Sequence, residues 1–120
     1  MTTSTTRIGH VTDGYRNLPS MADPAGAQAF IGDALANPAG AEISGGFFEL
    51  LAGEPLDYEY TYDEMKVVVE GEFHLTDLDS GQQVVARPKD VLFFPKGSRI
   101  RFETPDRALG FYTGHRSFAP

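Results

Sequence analysis

At 120 residues the chain has room for one domain around a single core, and 41% hydrophobic residues with 13 Gly and 8 Pro make a globular, turn-rich composition. A formal net charge of −7 argues against nucleic acid, whose phosphates need a basic face, and against an anionic membrane surface. The absence of cysteine excludes disulfides, thiolate chemistry and cysteine-ligated zinc. No apolar run approaches the roughly 20 residues that span a bilayer, and the first residues lack the apolar stretch of a signal peptide, so a cytoplasmic protein is expected.

Residues 1 to about 20 are polar and without period, an arm or an initial edge strand. Asp23-Pro24 has the form of a helix start, with Asp23 as N-cap and Pro24 at the first helical position. Ala27, Phe30, Ile31, Ala34 and Leu35 then share one helical face, which predicts a short amphipathic helix ending near Asn37-Pro38. Gly26 and Gly32 inside it oppose that reading. From Glu42 onward the pattern becomes short strands: Gly46–Leu51, Leu56–Thr61, Glu64–Glu70, Glu72–Asp77, Gln82–Ala86, Val91–Phe94, Arg99–Glu103 and Ala108–Thr113. Gly, Pro or Asp marks each break between them. The expected organisation is an N-terminal arm and helix over 1–42 and a β-barrel over 43–120, one domain overall.

Side chains alternate faces along a strand, so phase assigns the interior. Leu56, Tyr58 and Tyr60 share one phase and Asp57 and Glu59 the other; burying the apolar set avoids placing unpaired carboxylates inside. Glu64, Lys66 and Val68 share a phase on the next strand, and Lys66 either enters the barrel beside Glu64 or reaches the rim to pair with Asp57 or Glu59. Phe48, Ile100 and Phe102 complete an apolar wall suited to an organic ligand. Phe111 and Tyr112 differ in phase; Tyr112 is the candidate for the pocket, with the choice between them open.

Glu64 and Gly71 are separated by six residues, as are the glutamate and glycine of the first cupin motif. With the shorter spacing of that motif Tyr58 and Tyr60 fall where it has its two metal-binding histidines; the longer spacing would turn Asp57 and Glu59 inward instead. Pro95 and Gly97 match the second motif, whose leading glycine falls on Lys89, histidine on Ile100 and asparagine on Thr104. Tyr62-Asp63-Glu64-Met65, Val69-Glu70-Gly71-Glu72-Phe73 and Asp90-Val91-Leu92-Phe93-Phe94-Pro95-Lys96-Gly97-Ser98 together resemble the EutQ-like cupins, over roughly residues 43 to 115. The resemblance implies an all-β cupin (jelly-roll) barrel, commonly a homodimer, with a pocket lined from both motifs and aromatic or aliphatic residues at the histidine positions. It also brings in acetate-kinase activity, the described role of the ethanolamine-utilisation member. This chain has no Gly-rich phosphate loop to match that role.

A carboxyl in an apolar cavity can serve as general acid or base near neutrality, which nominates Glu64. Tyr58, Tyr60 and Tyr62 offer phenol donors for an oxyanion, and Lys66 a cation for a carbonyl oxygen or an amine for a Schiff base. The chemistry expected is isomerisation, cyclisation or elimination of a small carbonyl compound without cofactor. A divalent metal is the alternative, held by Glu64 with His74 or His115; His10 lies in the polar arm. A further alternative is a non-catalytic metabolite-binding barrel in which Glu64 and Lys66 form a structural ion pair. Were a phosphate bound, Lys96 and the Gly97–Ser98 backbone would be its first candidates, while Arg99 and Arg101 read as an outer face matched by Glu103.

Overall fold

The computed structural model describes residues 8–38 and 42–117; the first seven residues of the polar arm lie outside them. Nine strands run in chain order: β1 (Ala29–Ala36), β2 (Ser44–Leu51), β3 (Leu56–Glu59), β4 (Glu64–Gly71), β5 (Phe73–Asp77), β6 (Gln83–Ala86), β7 (Val91–Phe94), β8 (Arg99–Glu103) and β9 (Arg107–Gly114). They form two antiparallel sheets, β1-β2-β9-β4-β7 and β3-β8-β5-β6, whose inner faces enclose the core as in a cupin barrel. No helix among the described residues is long and apolar enough to cross a membrane.

The helix expected after Asp23-Pro24 is absent. Asp23 does cap a turn, its carboxylate accepting from the Ala27 N–H at 3.0 Å, but Gly26 takes φ +93°, outside any right-handed helix. Residues 29–36 instead run as an edge strand, pairing from Ala29↔Leu50 to Ala36↔Ser44. The helical stripe arose because β1 is covered on both faces, which blurs the two-residue alternation. Ala29 is buried in the core, while Gly14 lies against Ala34 and Gly9 against Leu35 from the preceding segment. Pairing of this kind overrides a weak propensity. The pairing also needs Gly46: a Cβ there would collide with the Gly32 carbonyl oxygen.

Strands β2 to β9 follow the predicted series within two residues at either end. Alternate positions enter the core: Phe48 and Leu50 from β2, Phe73 and Leu75 from β5, Ile100 and Phe102 from β8. Phe48 stacks on Phe73 at 5.7 Å and meets Phe102 edge-on at 5.4 Å. Each such ring contributes about 1.5–3 kcal/mol by leaving water. The open question on β9 resolves with Tyr112 fully buried and Phe111 on the outer face.

The two motif turns differ. Gly71 adopts φ +70°, and a Cβ there would meet the Arg107 carbonyl oxygen, so only glycine fits. Lys89, where the second motif has glycine, adopts φ +77°, a left-handed conformation that costs a side-chain-bearing residue roughly 1–2 kcal/mol.

Candidate functional site

β4 carries the centre of the site. Its bulge lies between Val68 and Glu70, beyond Lys66, so Glu64 and Lys66 keep the same inward phase and both are 3% exposed. The rim alternative for Lys66 does not occur: Asp57 is taken by Arg101, with bonds of 2.7 and 3.0 Å on the outer face. Gly110 on β9 makes room for the lysine stem, since a Cβ there would lie 3.1 Å from Lys66 Cγ and Cδ.

Lys66 Nζ stands 3.4 Å from Glu64 Oε2, and the Tyr60 hydroxyl donates to the same oxygen at 2.8 Å. Glu64 Oε1 makes no hydrogen bond among the described residues, which leaves one carboxylate oxygen for a ligand. The Lys66 ammonium also faces four rings: Phe48 at 4.4 Å, Phe102 at 4.9 Å, Phe94 at 5.7 Å and Tyr112 at 5.9 Å. Burial pushes its pKa below 10.5, while the Glu64 carboxylate works against that fall. The ring faces add to Glu64 in favouring the charged form. Burial, then the Glu64 charge, holds the Tyr60 phenol well above 10.0, so it remains a donor.

Tyr60 is fixed from the second motif. Its N–H donates to the Ser98 carbonyl and its carbonyl accepts from Gly97, while its ring stacks on Phe94 at 4.8 Å. The Lys96 N–H is likewise used, on Asp63 Oδ1 at 2.7 Å, and the Ser98 N–H donates to the Pro95 carbonyl. The backbone donors suggested for a phosphate therefore bind the protein itself. Arg99 and Arg101 pair with Asp79 and Asp57 rather than with Glu103.

Around Glu64 and Lys66 lies a chamber of about 10 Å³, room for a single water-sized group, lined by Met21, Ile31, Phe48, Leu56, Tyr58, Tyr60, Tyr62 and Phe102. Outside it lies a cleft of about 410 Å³, and Met21, Ile31, Tyr58 and Tyr62 border both. The Tyr58 and Tyr62 hydroxyls are 2.8 Å apart at this mouth. The cleft adds Asp33, Tyr112 and Arg116. Arg116 grips Asp33 through two bonds of 2.7 and 2.8 Å, and the Tyr112 hydroxyl donates to Asp33 at 2.6 Å. The Asp33 bond, above all, holds the Arg116 pKa above its ordinary range. Ile100, read as part of the same wall, borders a separate crevice with Leu75, Val84 and Leu92.

The sequence reading missed Met21, Ile31, Asp33 and Arg116. Ile31 was placed on a helix, and nothing local marks Asp33 and Arg116 as partners; only the bulge between Asp33 and Leu35 turns that strand locally.

The described residues gather no group of three or more His, Asp or Glu side chains suited to a metal. His74 lies on the outer face against Glu72, His115 lines an exposed groove with Asp63 and Phe93, and His10 is exposed. A divalent ion beside Glu64 would meet the Lys66 ammonium, and Tyr58, Tyr60 and Ile100 are poor replacements for imidazoles. The donor set does not fit the usual cupin metal.

Residues 20–116 match the family described as ethanolamine utilisation protein EutQ. A Salmonella typhimurium protein named acetate kinase EutQ is 43% identical over 51 residues, 42% of this chain; the match spans only about a fifth (21%) of that relative's length. The crystal structure of an ethanolamine utilization protein Q from Salmonella typhimurium is similar with a TM-score of 0.66 and 29% identity, covering 75% of this chain and 71% of that one. A cupin superfamily protein from Desulfitobacterium hafniense shares the fold, with a TM-score of 0.62 and 19% identity over 75% of this chain and 79% of its own.

Proposed function

The chain belongs to the EutQ family of cupin barrels, and on that footing we propose that it is a small-molecule enzyme using acid–base catalysis on a carbonyl-type substrate, without the usual cupin metal. One observation carries this reading: a buried carboxylate whose Oε2 is held by Tyr60 and Lys66 while Oε1 has no hydrogen bond among the described residues. The body of the substrate occupies the outer cleft, and its reacting carbon reaches the mouth between Tyr58 and Tyr62. Glu64 Oε1 takes the proton from the carbon next to the carbonyl, the electron pair of the C–H bond forms the new C=C bond, and the π pair of the carbonyl moves onto its oxygen. A phenol at the mouth donates to that oxygen as it becomes an enolate. Return of the proton at another carbon gives isomerisation; loss of a leaving group gives elimination. Lys66 and Tyr60 are positioning residues that hold Glu64 through Oε2 and keep Oε1 aimed at the substrate.

The test is exchange of α-hydrogens for deuterium in heavy water, followed by NMR over a panel of small aldehydes, ketones and hydroxyketones. Exchange by the wild type and a loss of about 100-fold or more in Glu64→Gln, with folding intact, is the expected result. Unchanged exchange in that variant removes Glu64 from the role; no exchange across the panel favours a binding barrel without catalysis. A second reading, phosphoryl transfer between ATP and acetate, draws on the name of the Salmonella relative. Production of ADP and acetyl phosphate by this chain would put it first.

A further inference from the structure

The outer cleft holds two formal charges that cancel. Asp33 is 1% exposed in its side chain and Arg116 19%, and both prongs of the guanidinium fork already grip a carboxylate. Asp33 neutralises the guanidinium and the Ser117 carbonyl takes a further Nη1 hydrogen, so an incoming carboxylate or phosphate meets a cancelled cation with a like charge beside it. The Tyr58–Tyr62 pair offers the opposite. One phenol hydrogen bridges the two oxygens at 2.8 Å, so the other hydrogen of the pair stays outside that bond. The Arg116 guanidinium lies 5.0 Å from the Tyr62 ring centroid, which draws electron density from the phenol and strengthens it as a donor. Burial and the Tyr62 contact push the Tyr58 pKa up, so Tyr58 keeps its proton at working pH. Met21, Ile31 and Pro19 supply apolar walls.

From this we infer that the cleft selects an uncharged ligand, docking its carbonyl oxygen on the Tyr58–Tyr62 pair, and that the Asp33–Arg116 clasp determines specificity by rejecting anions. The inference rests on the cleft being the substrate site of the function proposed above, and it narrows the substrate class to neutral aldehydes, ketones or amides with a small apolar body. Asp33 and Arg116 are positioning residues: Asp33 holds the guanidinium away from the ligand and over Tyr62.

Benzamide and benzoate test it, being nearly the same shape and differing in charge. Their binding is measured by titration calorimetry on the intact chain. Wild type is expected to bind benzamide at least about tenfold more tightly than benzoate. Asp33→Asn frees the Arg116 fork and should reverse the preference; Asp33→Asn/Arg116→Gln removes both charges and should restore it. Tyr58→Phe should weaken benzamide with little effect on the melting curve. Wild-type preference for benzoate, failure to bind benzamide at millimolar concentration, or an unchanged preference in folded Asp33→Asn each overturns the inference. If Asp33→Asn does not fold, the wild-type ratio and Tyr58→Phe decide. Glu64→Gln separates the two readings, because it should retain benzamide binding while losing deuterium exchange. Selective benzamide binding without any exchange would overturn the acid–base function and leave the anion-rejecting cleft standing.

Discussion

The inner chamber and the outer cleft contain the same three kinds of group: a carboxylate, a cation, and a tyrosine that donates to the carboxylate. Inside are Glu64, Lys66 and Tyr60; outside are Asp33, Arg116 and Tyr112. They differ in grip. Arg116 meets Asp33 through two bonds of 2.7 and 2.8 Å, while Lys66 stands 3.4 Å from Glu64 and spends the rest of its shell on ring faces. A planar fork matches both oxygens of a carboxylate, whereas an ammonium is a point charge that engages one. The outer pair therefore ties β1 to the segment after β9, and the inner pair leaves one carboxylate oxygen without a hydrogen bond among the described residues. On the function proposed above, the tight pair would serve architecture and recognition and the loose pair chemistry.

The largest test of this contrast is Lys66→Met. It strands the Glu64 carboxylate in the core and should lower unfolding free energy by about 3–5 kcal/mol, measured by urea denaturation. Lys66→Met/Glu64→Gln should recover most of that loss, because the charge goes with its partner. An equally large loss in the double variant would mean that packing of the lysine stem, rather than charge, dominates. Arg116→Met should cost less, about 2 kcal/mol, since the Tyr112 hydroxyl still donates to Asp33 and loss of the partly exposed guanidinium opens that buried carboxylate to the cleft. A loss equal to that of Lys66→Met would erase the distinction between the two pairs.

The smallest effect is in pH. Burial lowers the Lys66 pKa below 10.5, so between the lowered value and 10.5 the unfolded chain holds a proton that the folded chain has released. Stability contributed by this group rises with pH across that window. Arg116, raised above 12.5, adds no slope there. The raised Tyr60 pKa works in the opposite direction above 10.0, but it does so with or without the lysine, so the wild type minus Lys66→Met difference isolates the effect. That difference should grow in favour of wild type as the pH rises toward 10.5; a flat difference would mean that Glu64 and the rings fully offset burial.

The strands from β2 onward were legible because one face of each is buried and the other wet, which writes a two-residue alternation into the sequence. The inward phase of Glu64 and Tyr60 followed from the same alternation. For Lys66 the alternation left two outcomes, and what decides between them is the place of the bulge and the hollow at Gly110, neither of which is a pattern on β4 itself. β1 was misread because a strand covered on both sides loses its alternation. The cleft was invisible for a different reason: Asp33 and Arg116 are 83 residues apart, and their meeting depends on β1 joining the sheet beside β2 and β9. The shared inward phase of Tyr60 and Glu64, four residues apart, could be read from sequence; Lys66 beside Glu64 was legible only as one of two outcomes, and the Asp33–Arg116 contact was not legible at all.

The hollow at Gly110 ties the choice of residue there to the lysine it accommodates. A lysine at position 66 facing alanine at 110 is crowded, with the new methyl 3.1 Å from two carbons of its stem. A glycine at 110 facing a short residue at 66 leaves a void in the core. Neither change is comfortable by itself, so the two positions are coupled through packing. Exchanging either residue alone should therefore destabilise the barrel, and the cost of the pair should be well below the sum of the two single changes.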